Sequence, residues 1–215
     1  MKKTALVCTK GIAENGLNTV RSLGKNGITV IVIGIRGDIN FAKSSRYCSR
    51  YEEIDSFDKV LLLEKLFQLR NDISYNPILF FDNDYMTALL DGEEELLAEK
   101  FILTQSINHF SYKEYQMETS INSGIDVPKT WKPKSWEELR EISKQTASNL
   151  ISKPSQDSEK KPFKTLIAPN INELEKLLKA KVSSPDSVIV QEYIEGSQET
   201  IWVVLGYVSK NNNFS

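Results

Sequence analysis

The stretch TALVCTKGIAENGLNTVRSLGKNGITVIVIG, residues 4–34, decides the architecture of the N-terminal part. TALVC (4–8) is a short apolar run that reads as a buried strand, and TKGIAENG (9–16) reads as its loop. NGLNTVRSLGKN (15–26) places Leu17, Val20 and Leu23 on one helical face, and Gly27 ends that helix. ITVIVIG (28–34) is a second strand with no polar interruption. A strand with one wet face alternates apolar and polar residues; these two do not. Two uninterrupted apolar strands joined through a helix therefore predict a parallel sheet covered on both faces.

Working outward, YEEI (51–54) reads as a short strand and residues 58–71 as a helix capped by Asp58. NPILFF (76–81) is a third apolar strand. DNDYMTALLDGEEELLAEKF (82–101) reads as one helix capped near Asp82 or Asp84, and FILT (101–104) as a further short strand. The expectation is an α/β domain over residues 1–108 with a doubly wound parallel sheet.

From 109 to 215 the pattern changes to α+β. A helix is expected at 111–123. GIDVPKTWKPKSWEELREISKQ (124–145) is an extended piece, a proline-rich turn and a helix that Ser135 caps. NLISKP (149–154) is a strand, SQDSEKKPFK (155–164) a charged loop, and TLIAP (165–169) a strand. NINELEKLLKAKV (170–182) is a helix capped at Asn170 or Asn172. VIVQEYI (188–194) and ETIWVVLGYV (199–208) are two more strands, and KNNN (210–213) is a turn. A hairpin opens there and only Phe214 and Ser215 follow, so this lobe is expected to be truncated.

Composition narrows the function classes. With 27 basic and 29 acidic residues among 215, the net charge of −2 argues against a general nucleic-acid or anionic-membrane binder. The longest apolar run, ITVIVIGI (28–35), is far short of the roughly 20 residues that span a bilayer. The N-terminus lacks the apolar core of about 7–15 residues of a signal peptide. Cys8 and Cys48 have no metal-like spacing and fit a reduced, cytoplasmic setting.

Gly11 and Gly16 do not form G-x-G-x-x-G, and no G-K-[ST] follows, so neither common phosphate-binding fingerprint is present. Lys153 leaves an apolar strand just before Pro154. It either reaches solvent along the surface or meets an anion, since an unpaired buried ammonium is costly. Lys113 alone is an ordinary helix lysine, and Lys160, Lys161 and Lys164 an ordinary charged loop. VIVQEYIEG (188–196) turns from apolar to polar as it ends. Backbone leaving a strand offers alternating C=O and N–H groups that match the edge of adenine. Glu192 is placed to accept its exocyclic amine, Ile194 to pack on its face, and Glu199 to hold ribose hydroxyls. Asp82 and Asp84 either cap a helix or face a cleft at the strand ends. Arg46 and Arg50 either lie in a solvated loop or reach an acidic substrate. His109, the single histidine, has no nucleophile or orienting acid beside it in the sequence. Trp131, Trp136 and Trp202 read as packing residues.

Taken together, Lys113 followed by GIDVPKT (124–130), then ISKP (151–154), then VIVQEYIEGSQET (188–200) resembles the ATP-grasp superfamily in order and spacing. There a lysine precedes a G-I-P-V-P-x-T segment, one strand delivers K-P, and a later one delivers Q-E-[YF]-[IV]-x-G-x-E. SSRYCSR (44–50) and ILFFDNDYMTALL (78–90) are similar to the pre-ATP-grasp domain of relatives of the carbamoyl-phosphate synthase large subunit and of D-aspartate-ligase-like enzymes. The resemblance implies a ligase in which ATP phosphorylates a small carboxylate and an amine or similar nucleophile attacks the acyl phosphate. By position, Lys113 and Lys153 would contact the phosphates, Gln191, Glu192, Tyr193 and Ile194 the adenine, and Glu199 the ribose. The family's Mg²⁺ ligands would lie beyond Ser215, so this chain alone is expected not to turn over. No glycine occurs between Gly124 and Gly196, which leaves loop 155–164 as the one candidate phosphate cover. A half-built lobe with open strand edges is expected to self-associate as a homo-oligomer. The alternative is a non-catalytic module that binds a nucleotide or a protein.

Overall fold

The computed structural model describes residues 3–12, 14–104, 112–155 and 162–202. The chain divides into two compact units, Met1–Val127 with Pro154–Pro162, and Pro128–Lys153 with Phe163–Ser215.

In the first unit, β1 (Thr4–Cys8), β2 (Thr29–Ile35), β3 (Cys48–Ile54), β4 (Ile78–Phe81) and β5 (Ile102–Leu103) form one sheet in the order β3-β2-β1-β4-β5. All four pairings are parallel. The helices are α1 (Glu14–Lys25), α2 (Lys59–Asn71), α3 (Asp84–Leu89), α4 (Glu94–Lys100) and α5 (Lys113–Asn122). Strand alternation sends side chains to two cores. Leu6, Cys8, Ile31, Ile33, Leu79 and Phe81 pack with Leu62, Leu66 and Leu69 of α2, Met86 of α3 and Leu97 of α4. Val7, Val30 and Val32 pack the other way, with Val20 of α1 and Ala42. The central strands β1, β2 and β4 are covered on both faces, and this is why they carry no polar residue in their middles; β3, at the sheet edge, carries Ser49, Arg50, Glu52 and Glu53.

Local chemistry sets the helix ends. The Asp58 carboxylate accepts from Leu61 N–H at 3.0 Å, as expected of an N-cap. After α1, Gly27 adopts φ 75°, and Ile28 N–H reaches back to the Leu23 carbonyl at 3.1 Å. That is the wrap-around bond of a glycine C-cap. The single helix expected over 82–101 is instead two, α3 and α4, because the chain turns at Asp91–Gly92 with Gly92 at φ 86°. Its cap is neither Asp82 nor Asp84. Asn83 accepts from Met86 N–H at 3.1 Å, and Asp84 is already helical.

In the second unit, β6 (Thr130–Trp131), β7 (Leu150–Pro154), β8 (Leu166–Ala168) and β9 (Val188–Glu192) form a sheet in the order β6-β9-β7-β8. β6 runs antiparallel to β9, and β7 to β8. Two helices cover one face: α6 (Trp136–Glu141), capped by Ser135, and α7 (Ile171–Lys179), capped by Asn170. Leu139 and Ile142 join Leu174 and Leu178 over Leu150, Val188 and Val190 in a single core. Glu175 of α7 accepts from Arg140 Nε at 2.9 Å and Nη2 at 2.6 Å, and pairs with Lys179 Nζ at 2.7 Å. These bonds, the arginine's above all, hold its carboxyl at about 2.

The expected strand 199–208 does not begin at Glu199. Residues 198–200 form a short 3-10 turn, Ile201 and Trp202 have no regular structure, and the remainder falls outside the described residues, as do His109, Lys160 and Lys161. No helix among the described residues is long and apolar enough to cross a membrane.

Candidate functional site

Six of the seven predicted nucleotide contacts, Lys153, Gln191, Glu192, Tyr193, Ile194 and Glu199, lie in the second unit. Lys113 lies in the first, opening α5, with its amide donating to the carbonyl of Ser155 at 3.4 Å.

The second sheet sorts these residues by face. Leu150, Val188 and Val190 point to the α6–α7 core. Alternation sends Ile151 and Lys153 of β7, and Ile189 and Gln191 of β9, to the opposite face. The register agrees: Thr130 lies opposite Gln191, and Gln191 Nε2 donates to Thr130 Oγ1 at 2.9 Å. Lys153 and Gln191 thus share the face opposite α6 and α7, which among the described residues carries no helix of this unit. Ile189 and Gln191 are buried there, whereas Ile167 is half exposed. Lys153, half-buried, is a cation at the end of a strand, where its stem packs and its ammonium can be aimed.

At the exit of β9 the backbone bonds run out in order. Glu192 N–H donates to the Lys129 carbonyl at 2.9 Å, and Tyr193 N–H to the Asn149 carbonyl at 2.8 Å. The next amide, Ile194 N–H, has no partner among the described residues, and the Ile194 side chain is 69% exposed. One free backbone donor beside one exposed aliphatic side chain is what a flat heteroaromatic ring needs, a donor for an acceptor on its edge and a face to lie on. Beyond it, Asn149 Nδ2 donates to Glu195 Oε1 at 3.0 Å, which steadies the departing chain.

Glu192 is not idle. Its Oε1 accepts from Thr146 Oγ1 at 3.1 Å, leaving capacity for a further donor. Glu199 sits exposed in the 3-10 turn Gln198–Thr200. Sequence reasoning missed Lys129, Thr146 and Asn149, which fix the strand exit from two sides. Their signal is weak because all three act through a backbone carbonyl or a short side chain in loops.

The first unit holds a second polar cluster, where β1 and β4 end side by side. Asp82 Oδ2 accepts from Thr9 Oγ1 and from Lys10 N–H at 3.3 Å, and Oδ1 accepts from Asn83 Nδ2 at 2.7 Å. Burial pushes the Asp82 carboxyl above the usual range, against these hydrogen bonds, which pull it down. Of the two arginines expected in a loop, Arg50 lies within β3 and is committed to Glu52 and Asp72, while Arg46, in the loop before it, donates to the Tyr47 hydroxyl at 2.7 Å. Among the described residues no group of three or more His, Cys, Asp or Glu side chains could hold a metal ion.

No family model and no curated protein matches this chain. Solved structures do match. An N5-carboxyaminoimidazole synthetase from Staphylococcus aureus, complexed with ADP, is 16% identical at TM-score 0.69, over 90% of this chain and 48% of its own. The biotin carboxylase domain of the Hydrogenobacter thermophilus 2-oxoglutarate carboxylase, in complex with MgADP and bicarbonate, is 16% identical at TM-score 0.67, over 91% of this chain and 45% of its own. An L-amino acid ligase from Bacillus licheniformis is 15% identical at TM-score 0.65, over 91% and 45%. The chain spans about half the length of these proteins. At such identities the likeness speaks for fold, and the chain has the fold of ATP-grasp enzymes over that half of their length.

Proposed function

We propose that this chain is the nucleotide-holding part of an ATP-dependent ligase that activates a small carboxylate as an acyl phosphate for attack by an amine. In this reading residues 1–108 are the pre-ATP-grasp domain and 109–215 the small ATP-grasp lobe. The observation that carries it is the exit of β9, where the free Ile194 amide and its exposed side chain follow a strand that shares a sheet face with Lys153.

The chain's own residues divide the work. The Ile194 amide donates to a ring nitrogen of adenine, Glu192 accepts from its exocyclic amine, and the Ile194 side chain covers one face. Glu199 receives ribose hydroxyls. Lys153 offers its ammonium group to phosphate oxygens as a compact charge. When bound, Mg²⁺ would neutralise further phosphate charge. Residues of this kind promote phosphoryl transfer by positioning and by stabilising charge, without covalent chemistry of their own. The free thiols of Cys8 and Cys48 suit a cytoplasmic setting.

Calorimetric titration with a non-hydrolysable ATP analogue tests this. A lysine–phosphate contact is worth about 1.5–3 kcal/mol. Lys153→Ala should therefore weaken binding roughly ten- to hundredfold, with the melting temperature unchanged. Equal affinity in wild type and variant would refute the assignment.

A further inference from the structure

At the end of the first unit remote from Asp82, a cleft of about 420 Å³ is lined by Arg21, Lys25, Ser44, Ser45, Arg46 and Tyr47. Three of the six lining residues are cations and three carry hydroxyls, with no acid among them.

Arg21 and Lys25 are four residues apart on α1, hence on one face, where like charges destabilise a helix. Arg46 faces them from the loop before β3. Other surface cations of this unit do pair with carboxylates: Arg36 with Asp55, Lys43 with Glu53, and Arg50 with Glu52 and Asp72. Among the described residues no carboxylate lies within 4.0 Å of Arg21, Lys25 or Arg46. The helix dipole favours Lys25 in the last turn of α1, but it accounts for neither arginine.

The arrangement is also built. A Cβ on Gly24 would lie 2.4 Å from Tyr47 Cβ, so only glycine lets Tyr47 lie on α1 and bring the loop against Arg21 and Lys25. The loop is held by Ser45 N–H to the Ala42 carbonyl at 3.1 Å, Cys48 N–H to the Ser45 carbonyl at 2.9 Å, and Tyr47 N–H to Ser45 Oγ at 3.3 Å. The Arg46 guanidinium lies over the Tyr47 ring at 4.8 Å and donates to its hydroxyl, which fixes the direction of its planar fork.

We propose that this cleft is a binding site for a phosphate group carried by a small molecule. Two guanidinium forks and an ammonium match three phosphate oxygens, and the serine hydroxyls supply further donors. The volume exceeds that of the phosphate alone, leaving room for the group that bears it. The site uses none of the residues assigned to ATP.

Amide NMR titration of the chain with inorganic phosphate, at ionic strength held constant with sodium chloride, tests the proposal. Saturable shifts are expected at Arg21–Lys25 and Ser44–Tyr47. Arg21→Gln and Arg46→Gln should each weaken binding about tenfold, with a circular dichroism melt showing the fold intact. Lys25→Gln should act in the same direction. Lys153→Ala should leave these shifts unchanged, which separates this site from the nucleotide reading. Shifts no larger than chloride produces, affinity unaltered in both arginine variants, or shifts confined to residues 153 and 192–194 would each overturn it.

Discussion

The two units use their sheets differently. The first buries both faces of its central strands, so neighbouring residues such as Val32 and Ile33 enter different cores. Among the described residues the second packs its helices on one face, and its other face carries Lys153 and Gln191. A sheet covered twice is a foundation with nothing left to bind a ligand except its strand ends. A sheet with helices on one side keeps a face whose side chains can be spent on recognition. The candidate sites follow this division: strand-end and loop clusters in the first unit, a sheet face with its strand exit in the second.

Substitutions can break or sharpen this contrast. The largest effects should come from the cores. Ile33→Ala in the first unit and Leu150→Ala in the second should each cost about 2–5 kcal/mol, read from denaturant unfolding. Val32→Ala, facing the opposite core from Ile33, should also cost about 2 kcal/mol or more if both faces are truly packed. A negligible loss there would mean the first sheet is covered on one side only.

Next comes Gly24→Ala. An exposed helical glycine normally gains up to about 1 kcal/mol on conversion to alanine. Here the added methyl collides with Tyr47, and a net loss of about 1–3 kcal/mol is expected. A rise in melting temperature would show that Tyr47 does not rest on α1.

Glu175 gives a pH signature belonging to the second unit. Its folded value, about 2, lies below the ordinary 4.5. The contribution is therefore complete above pH 4.5 and disappears as the pH falls toward 2. Glu175→Gln should cost about 1–2 kcal/mol at neutral pH, because Arg140 stays half exposed and part of the interaction is screened. The variant should also lose that part of the acid sensitivity, measured as unfolding free energy between pH 5 and pH 2. The smallest change should be Ile167→Ala, on the helix-free face and half exposed, at under about 1 kcal/mol. A cost equal to that of Leu150→Ala would mean this face is packed as tightly as the other.

Much of this was legible in the sequence, for reasons visible in particular residues. The unbroken run ITVIVIG announces burial on both faces, and Asp58, Ser135 and Asn170 announce helix starts by chemistry that needs no tertiary context. The break at Gly92 was hidden because DGEE within a leucine-bearing segment still fits a helical period, and the left-handed turn is decided by packing. The cap at Asn83 was masked by two aspartates on either side of it. Asp82 stood out as an acid after a strand, but its partners Thr9 and Lys10 are 73 and 72 residues away and are joined to it only by strand order. Lys153 and β9 were legible as motifs. The free Ile194 amide was not, since it depends on where Lys129 and Asn149 place their carbonyls.

The central claim is that a purine docks on the exit of β9. Amide NMR of the chain titrated with an ATP analogue, and separately with adenosine, reads this most directly. Both ligands should move the Ile194 amide saturably, with smaller shifts at Glu192 and Tyr193, and Lys153→Ala should weaken the response to the analogue while sparing that to adenosine. An Ile194 resonance that stays fixed while the analogue binds elsewhere would contradict the account.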